Sequence, residues 1–232
     1  LEMDLFQSAD GEIFVFHTGM EPSHLDHHIK IETYTAAEIK QMRLCNCDLI
    51  ETFLPVNTFD EVLEHLKGKC KMNLDRSIGI IEPVMKMVRR HGMEDQILMK
   101  SDPSEQSLKL IEAYAPDIDY MPIFMEEDHA SEKIEKMKIH YAGAELVFKT
   151  EQSPIVQEAY LEEQKKKGRV LWGNAILYSS RVPLAGGHSD DISLLEDPAQ
   201  GWGWLAQKGF DIIQTDWTMH CVNYLRENNY RK

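Results

Sequence analysis

Two carboxylates open the chain, in the run Leu1-Glu2-Met3-Asp4-Leu5. If that run is a β-strand, side chains alternate with period two and both acids share one face. Convergent carboxylates at a strand end suit a hard divalent cation such as Mg²⁺ or Ca²⁺. A third acid closes another apolar run, in Met72-Asn73-Leu74-Asp75-Arg76, and can share the cation if the two strands are neighbours. Plainer readings stand beside these. Exposed acids are common in an acidic protein, and Asp75 is equally suited to cap a following helix. His17 ends the run Ile13-Phe14-Val15-Phe16-His17. An imidazole there is usually a polar strand end, but folded back over Glu2 and Asp4 it becomes a candidate general acid or base.

The elements that would position these residues follow from periodicity. Short apolar runs at 1–6, 13–17, 70–75, 96–101, 118–124, 144–150, 169–176 and 210–216 alternate with amphipathic stretches. Most runs are continuously apolar, as strands covered on both faces are. Thr35-Ala36-Ala37-Glu38 is a capping box, Thr58 is placed to cap a helix over 59–66, and Ser104 another over 104–114. Further helices are expected near 84–90, 132–138, 155–167 and 218–227. Strands spaced by helices predict parallel βα units, and their even spread over one domain, 1–232, favours a (β/α)8 TIM barrel over a doubly wound sheet. Ser8-Ala9-Asp10-Gly11 is too short for a helical crossover, so 13–17 is expected to run antiparallel to the first strand. Seven barrel strands then remain, one short of closure, and the first βα unit is expected upstream of Leu1.

Composition narrows the function classes. The 232 residues are 43% hydrophobic and 28% charged, with a net charge of -14, which argues against nucleic acid or an anionic lipid surface as partner. No run approaches the length of a membrane span. The four cysteines, Cys45, Cys47, Cys70 and Cys221, lack zinc spacing and are read as reduced, structural thiols. A cytoplasmic setting is the expectation; oligomeric state is left open.

In order, these residues resemble the glycerophosphodiester phosphodiesterases. That family carries an upstream His-Arg-Gly strand, Glu-x-Asp, an Asp-Gly turn, a strand ending in His-Asp, a strand ending in Glu or Asp near a basic residue, and Gly-x-Asp-x-Ile-x-Thr-Asp. The chain reads Glu2-Met3-Asp4, Ser8-Ala9-Asp10-Gly11, Phe16-His17-Thr18, Asn73-Leu74-Asp75-Arg76, Trp172-Gly173-Asn174, and Gly209-Phe210-Asp211-Ile212-Ile213-Gln214-Thr215-Asp216. The resemblance implies Glu2, Asp4 and Asp75 as ligands of one divalent cation, Mg²⁺ or Ca²⁺, and His17 as one of two acid–base histidines. It implies hydrolysis of a small glycerophosphodiester to glycerol 3-phosphate and an alcohol. It also points to Arg76 as a phosphate contact, while Lys100, at the end of a strand run, and Trp172, in a barrel strand, are candidate phosphate or substrate contacts by position.

The chain departs from the family at three points. The His-Arg-Gly segment lies outside it, Thr18 replaces the Asp after the histidine, and Ser77 stands where a lysine would follow Asp75. These departures support a competing class, a barrel that binds without catalysing, while sphingomyelinase-type phosphodiesterases with a similar metal triad are the enzymatic alternative. Other candidates have stronger ordinary readings: Lys100 and Lys149 as solvated lysines, Trp172 as core, and His24, His27 and His28 as surface histidines. Trp202 and Trp204 are expected to anchor the segment after the seventh barrel strand. Gly186-Gly187-His188 is expected to be a flexible loop with no helix start.

Overall fold

The computed structural model describes residues 1–177 and 182–231. It divides into two compact units, Leu1–Asp119 with Lys138–His140, and Tyr120–Met137 with Tyr141–Lys232. The first contains β1 (Glu2–Gln7), β2 (Ile13–Val15), α1 (Glu21–His24), α2 (Ala36–Ile39), β3 (Arg43–Cys45), β4 (Glu51–Pro55), α3 (Phe59–Leu66), β5 (Met72–Asp75), α4 (Ile81–His91), β6 (Ile97–Ser101) and α5 (Glu105–Tyr114). Its strands lie in the order β6-β5-β1-β2, with β6, β5 and β1 parallel and β2 antiparallel to β1. In the second, β7 (Asp119–Met125), α6 (Ser131–Ile134), β8 (Gly143–Val147), α7 (Glu158–Lys166), β9 (Val170–Asn174), α8 (Asp190–Leu195), α9 (Trp202–Lys208), β10 (Ile212–Gln214) and α10 (Thr218–Glu227) follow one another. Strands β7 to β10 pair in sequence order, all parallel where their register is defined. The seven expected parallel strands and the one antiparallel excursion are therefore all present among the described residues.

Local chemistry explains the site-bearing elements. Met3 and Leu5 are buried on one face of β1, which leaves Glu2 and Asp4 on the other. The β1–β2 turn rests on Gly11, whose φ of +95° suits glycine, and on Ser8, which donates to Asp10 at 2.7 Å. Phe14 and Phe16 bury beside Phe6, Leu25, Ile31 and Ile39, with Phe6 and Phe14 stacked at 5.7 Å. That cluster fixes β2, and the backbone N–H of Phe16 donates to the Asp4 carbonyl at 3.0 Å. His17, the next residue, is thereby delivered beside Asp4.

The capping box at Thr35 with Glu38 forms as its spacing predicts, and Thr58 caps its helix as expected, with Glu61 completing a second box. Thr58 is buried, so Thr58→Ala should lower stability by about 1–2 kcal/mol in urea unfolding, the upper part of the range for a lost N-cap. The helix expected over 132–138 is a single turn ending at Ile134. The one expected over 155–167 starts only at Glu158, after a 3₁₀ turn at Pro154–Val156.

Two features depart further from expectation. The β3–β4 hairpin was hidden because β3 is only half-buried and β4 is mostly exposed; Phe53 in its second strand is 87% exposed. Gly186-Gly187-His188 leads directly into α8, which Ser189 caps by accepting from Ile192 N–H at 3.3 Å. The His188 ring stacks on Trp204 at 3.8 Å and pairs with Glu151, so this loop is tied down by side chains that a glycine count does not register. Trp202 anchors its segment as expected, donating from Nε1 to Asp190 at 2.7 Å. All four cysteines are free thiols, and burial pushes the Cys221 thiol up to about 12. No described helix is long and apolar enough to cross a membrane.

Candidate metal and catalytic site

The parallel register of β1 and β5 pairs Glu2 with Asn73 and Asp4 with Asp75. The period of two then places all four side chains on one face of the sheet. Glu2, Asp4 and Asp75 each offer a carboxylate oxygen, and the three oxygens lie within 4.8 Å of one another. This is the one such group of metal-ligating side chains among the described residues. Glu2 is exposed, while Asp4 and Asp75 are half-buried. Three oxygen donors at that spacing match the hard-cation chemistry of Mg²⁺ or Ca²⁺ and offer nothing to a thiophilic metal. Asp75 does not cap a helix; it accepts from the Arg76 N–H at 2.7 Å.

The surroundings are mixed in charge. Burial is the largest influence on Asp4 and pushes its pKa above the ordinary range. His17 opposes that shift, Asp75 adds to it, and Arg76 and Lys100 pull it back. A cation between these acids would remove the repulsion that Asp75 contributes.

Arg76 overturns a simple strand argument, by which the neighbour of Asp75 should face away. Its φ of +52° is left-handed, an uncommon conformation for a non-glycine residue, and it turns the side chain back. Arg76 Nε lies 3.4 Å from Asp4 Oδ1, and Nη1 donates to Thr18 Oγ1 at 3.3 Å. Thr18, where a carboxylate would sit in the family pattern, thus joins the arginine. Ser77 is fully buried and donates to the Leu74 carbonyl at 2.8 Å, so it does not stand in for a lysine.

Lys100 requires a correction: it is 3% exposed, not a solvated lysine. It lies near enough to Asp4 to lower that acid's pKa, which gives the site a second cationic side chain. Lys149 is exposed, as the ordinary reading had it. His24, His27 and His28 are exposed as well. Trp172 lies in the second unit, 7% exposed, and its Nε1 donates to Gln214 Oε1 at 3.1 Å.

His17 is half-buried, and its Nδ1 is buried with no hydrogen-bond partner. The loop after it is held by a residue the sequence did not single out. Glu21 is 2% exposed and accepts from Gly19 N–H at 2.6 Å and Ile31 N–H at 3.1 Å. Nothing in Gly19-Met20-Glu21-Pro22 signals a buried acid, because its partners are backbone groups. The motif near the C-terminus is structural: Asp211 accepts from Leu171 N–H at 2.9 Å, while Thr215 and Asp216 both donate to Asp190.

Parallel βα units, with three carboxylates brought together across the β1–β5 pair, define the class of α/β proteins built on a parallel sheet. The chain has the fold of the glycerophosphodiester phosphodiesterases. A glycerophosphoryl diester phosphodiesterase from Parabacteroides distasonis is similar with a TM-score of 0.78 and 18% identity, over 98% of this chain and 75% of that one. A glycerophosphodiester phosphodiesterase from Agrobacterium tumefaciens gives 0.66 and 18%, over 96% and 85%. A phosphodiesterase from Oleispira antarctica, solved with the product sn-glycerol-3-phosphate, gives 0.65 and 18%, over 97% and 84%. A family model described only as a domain of unknown function, DUF4996, matches residues 120–225. No curated protein matches the chain.

Proposed function

We propose that this chain is a divalent-cation-dependent phosphodiesterase that hydrolyses glycerophosphodiesters to glycerol 3-phosphate and an alcohol. The observation that carries the reading is the convergence of Glu2, Asp4 and Asp75 within 4.8 Å, with His17, Arg76 and Lys100 around them. The related folds and the family pattern in the sequence support it. When bound, Mg²⁺ or Ca²⁺ would supply charge neutralisation at the phosphoryl oxygen and lower the pKa of a neighbouring glycerol hydroxyl. Glu2, Asp4 and Asp75 would hold it.

The remaining work falls to the chain's own side chains. Arg76 and Lys100 offer two positive charges to the diester anion, as a planar fork and a point charge respectively. His17 takes or gives a proton at the attacking or leaving oxygen, at neutral pH the natural task of an imidazole. In the family pattern the second histidine of this chemistry belongs to a His-Arg-Gly segment, which is not part of this chain.

The assay is release of glycerol 3-phosphate from glycerophosphocholine, glycerophosphoethanolamine and glycerophosphoglycerol by the full-length protein. Release with Mg²⁺ or Ca²⁺ that EDTA stops supports the reading. Cation binding without turnover of any diester, sphingomyelin included, would favour a barrel that binds without catalysing, for which Thr18 and the unpartnered Nδ1 of His17 speak.

Arg76 gives a separate prediction. Arg76→Gly removes a phosphate contact and also a left-handed non-glycine residue. Stability should hold or rise by as much as about 1 kcal/mol, while KM for the diester rises. A loss of stability with KM unchanged would make Arg76 a structural residue.

A further inference from the structure

Asn73 shares one face of the β1–β5 pair with the acids and is explained by none of the contacts around it. It is 2% exposed, stands opposite Glu2 in the β1–β5 register, and precedes Asp75 by two positions on the same face of β5. On its other side the register brings Leu98 of β6, which has no polar side-chain atom to offer. Neither Nδ2 nor Oδ1 of Asn73 has a hydrogen-bond partner. A buried primary amide with both ends bare is strongly disfavoured unless water or a ligand completes it. Asparagine is also depleted in strands, and an aliphatic residue would fill this position without either penalty.

We infer that Asn73 is a positioning residue of the cation site. With a cation held by the three acids, its Nδ2 would donate to the Glu2 carboxylate and its Oδ1 would accept from water at the site. The inference rests on the reading of Glu2, Asp4 and Asp75 as that site. A neutral amide suits the role. Three carboxylates already exceed the charge of a divalent ion, and a fourth would add repulsion, whereas an amide orients a ligand without adding charge. Outer partners of this kind fix ligand orientation in metal sites generally.

The test is calorimetric titration of Mn²⁺ into the full-length protein, with the melting temperature of the metal-free form measured alongside. Asn73→Leu should weaken Mn²⁺ binding about 10–100-fold, the usual loss for an outer-shell partner. The metal-free melting temperature should hold or rise, because an unpaired buried amide has been replaced by an apolar side chain of similar size. A merely structural amide would give the reverse, a lower melting temperature with Mn²⁺ affinity unchanged, and that result overturns the inference.

Should Asn73→Leu fail to fold, Asn73→Ala decides. It removes the amide without adding charge, so Mn²⁺ should raise its melting temperature less than it raises that of the wild type; an equal or larger rise overturns the role. Glu2→Gln separates the two claims. If it abolishes binding while Asn73→Leu binds normally, the cation site stands and Asn73 is not part of it. If Mn²⁺ binding is unaffected by Glu2→Gln, the site itself is misassigned and the inference falls with it.

Discussion

His17→Ala should reduce turnover of a glycerophosphodiester by about 10²–10⁴-fold, the loss typical of a positioned acid or base. Cation affinity should be nearly intact, because the imidazole is not among the three converging oxygens. The fold should survive as well. The β2 segment is held by Phe14 and Phe16 in the cluster around Phe6 and by the Phe16-to-Asp4 backbone bond, none of which needs the imidazole. The loss should fall on kcat and on kcat/KM together if His17 acts only in the transition state. Turnover near the wild-type rate, in the full-length protein, would return His17 to the status of a strand-end residue.

Asp4→Asn should act on two quantities in opposite directions. Cation affinity should fall by more than about 100-fold, since substitutions one shell further out already cost 10–100-fold. The metal-free protein should meanwhile become more stable at neutral pH. Burial raises the Asp4 pKa in the folded state, so the native protein binds that proton more tightly than the unfolded chain does. Stability therefore declines as pH rises from the unfolded to the folded pKa, and the whole penalty is present above the folded value. Asparagine removes it. The gain in melting temperature should be small below about pH 3, where aspartate is largely protonated in both states, and should grow as pH rises toward neutrality. A variant that is less stable than wild type at pH 7 without metal would show that the Arg76 ion pair, not burial, dominates at Asp4.

Much of this site was legible because it rests on period two and on strand order. Glu2-x-Asp4 and Asp75 needed only adjacent parallel strands to meet, and the turn at Ser8–Gly11 needed only its shortness to predict an antiparallel β2. The capping box at Thr35 and the cap at Thr58 are local and were legible for the same reason. What escaped is long-range or backbone-mediated. Arg76 reaches Asp4 through a left-handed φ that no side-chain pattern encodes. The burial of Lys100 depends on what packs around β6, and Glu21 is buried because two backbone N–H groups converge on it. The ordered His188 loop owes its rigidity to Trp204 and Glu151, distant in sequence. Asn73 was quoted within a motif, yet its lack of hydrogen-bond partners is visible only in three dimensions.

The central claim is that Glu2, Asp4 and Asp75 hold one divalent cation. The most direct measurement is anomalous diffraction from crystals of the full-length protein grown with Mn²⁺. A single strong peak is expected, with oxygens of all three carboxylates at about 2.0–2.6 Å. A well-ordered site with the three side chains in place and no peak between them, or a peak held by other residues alone, would contradict it.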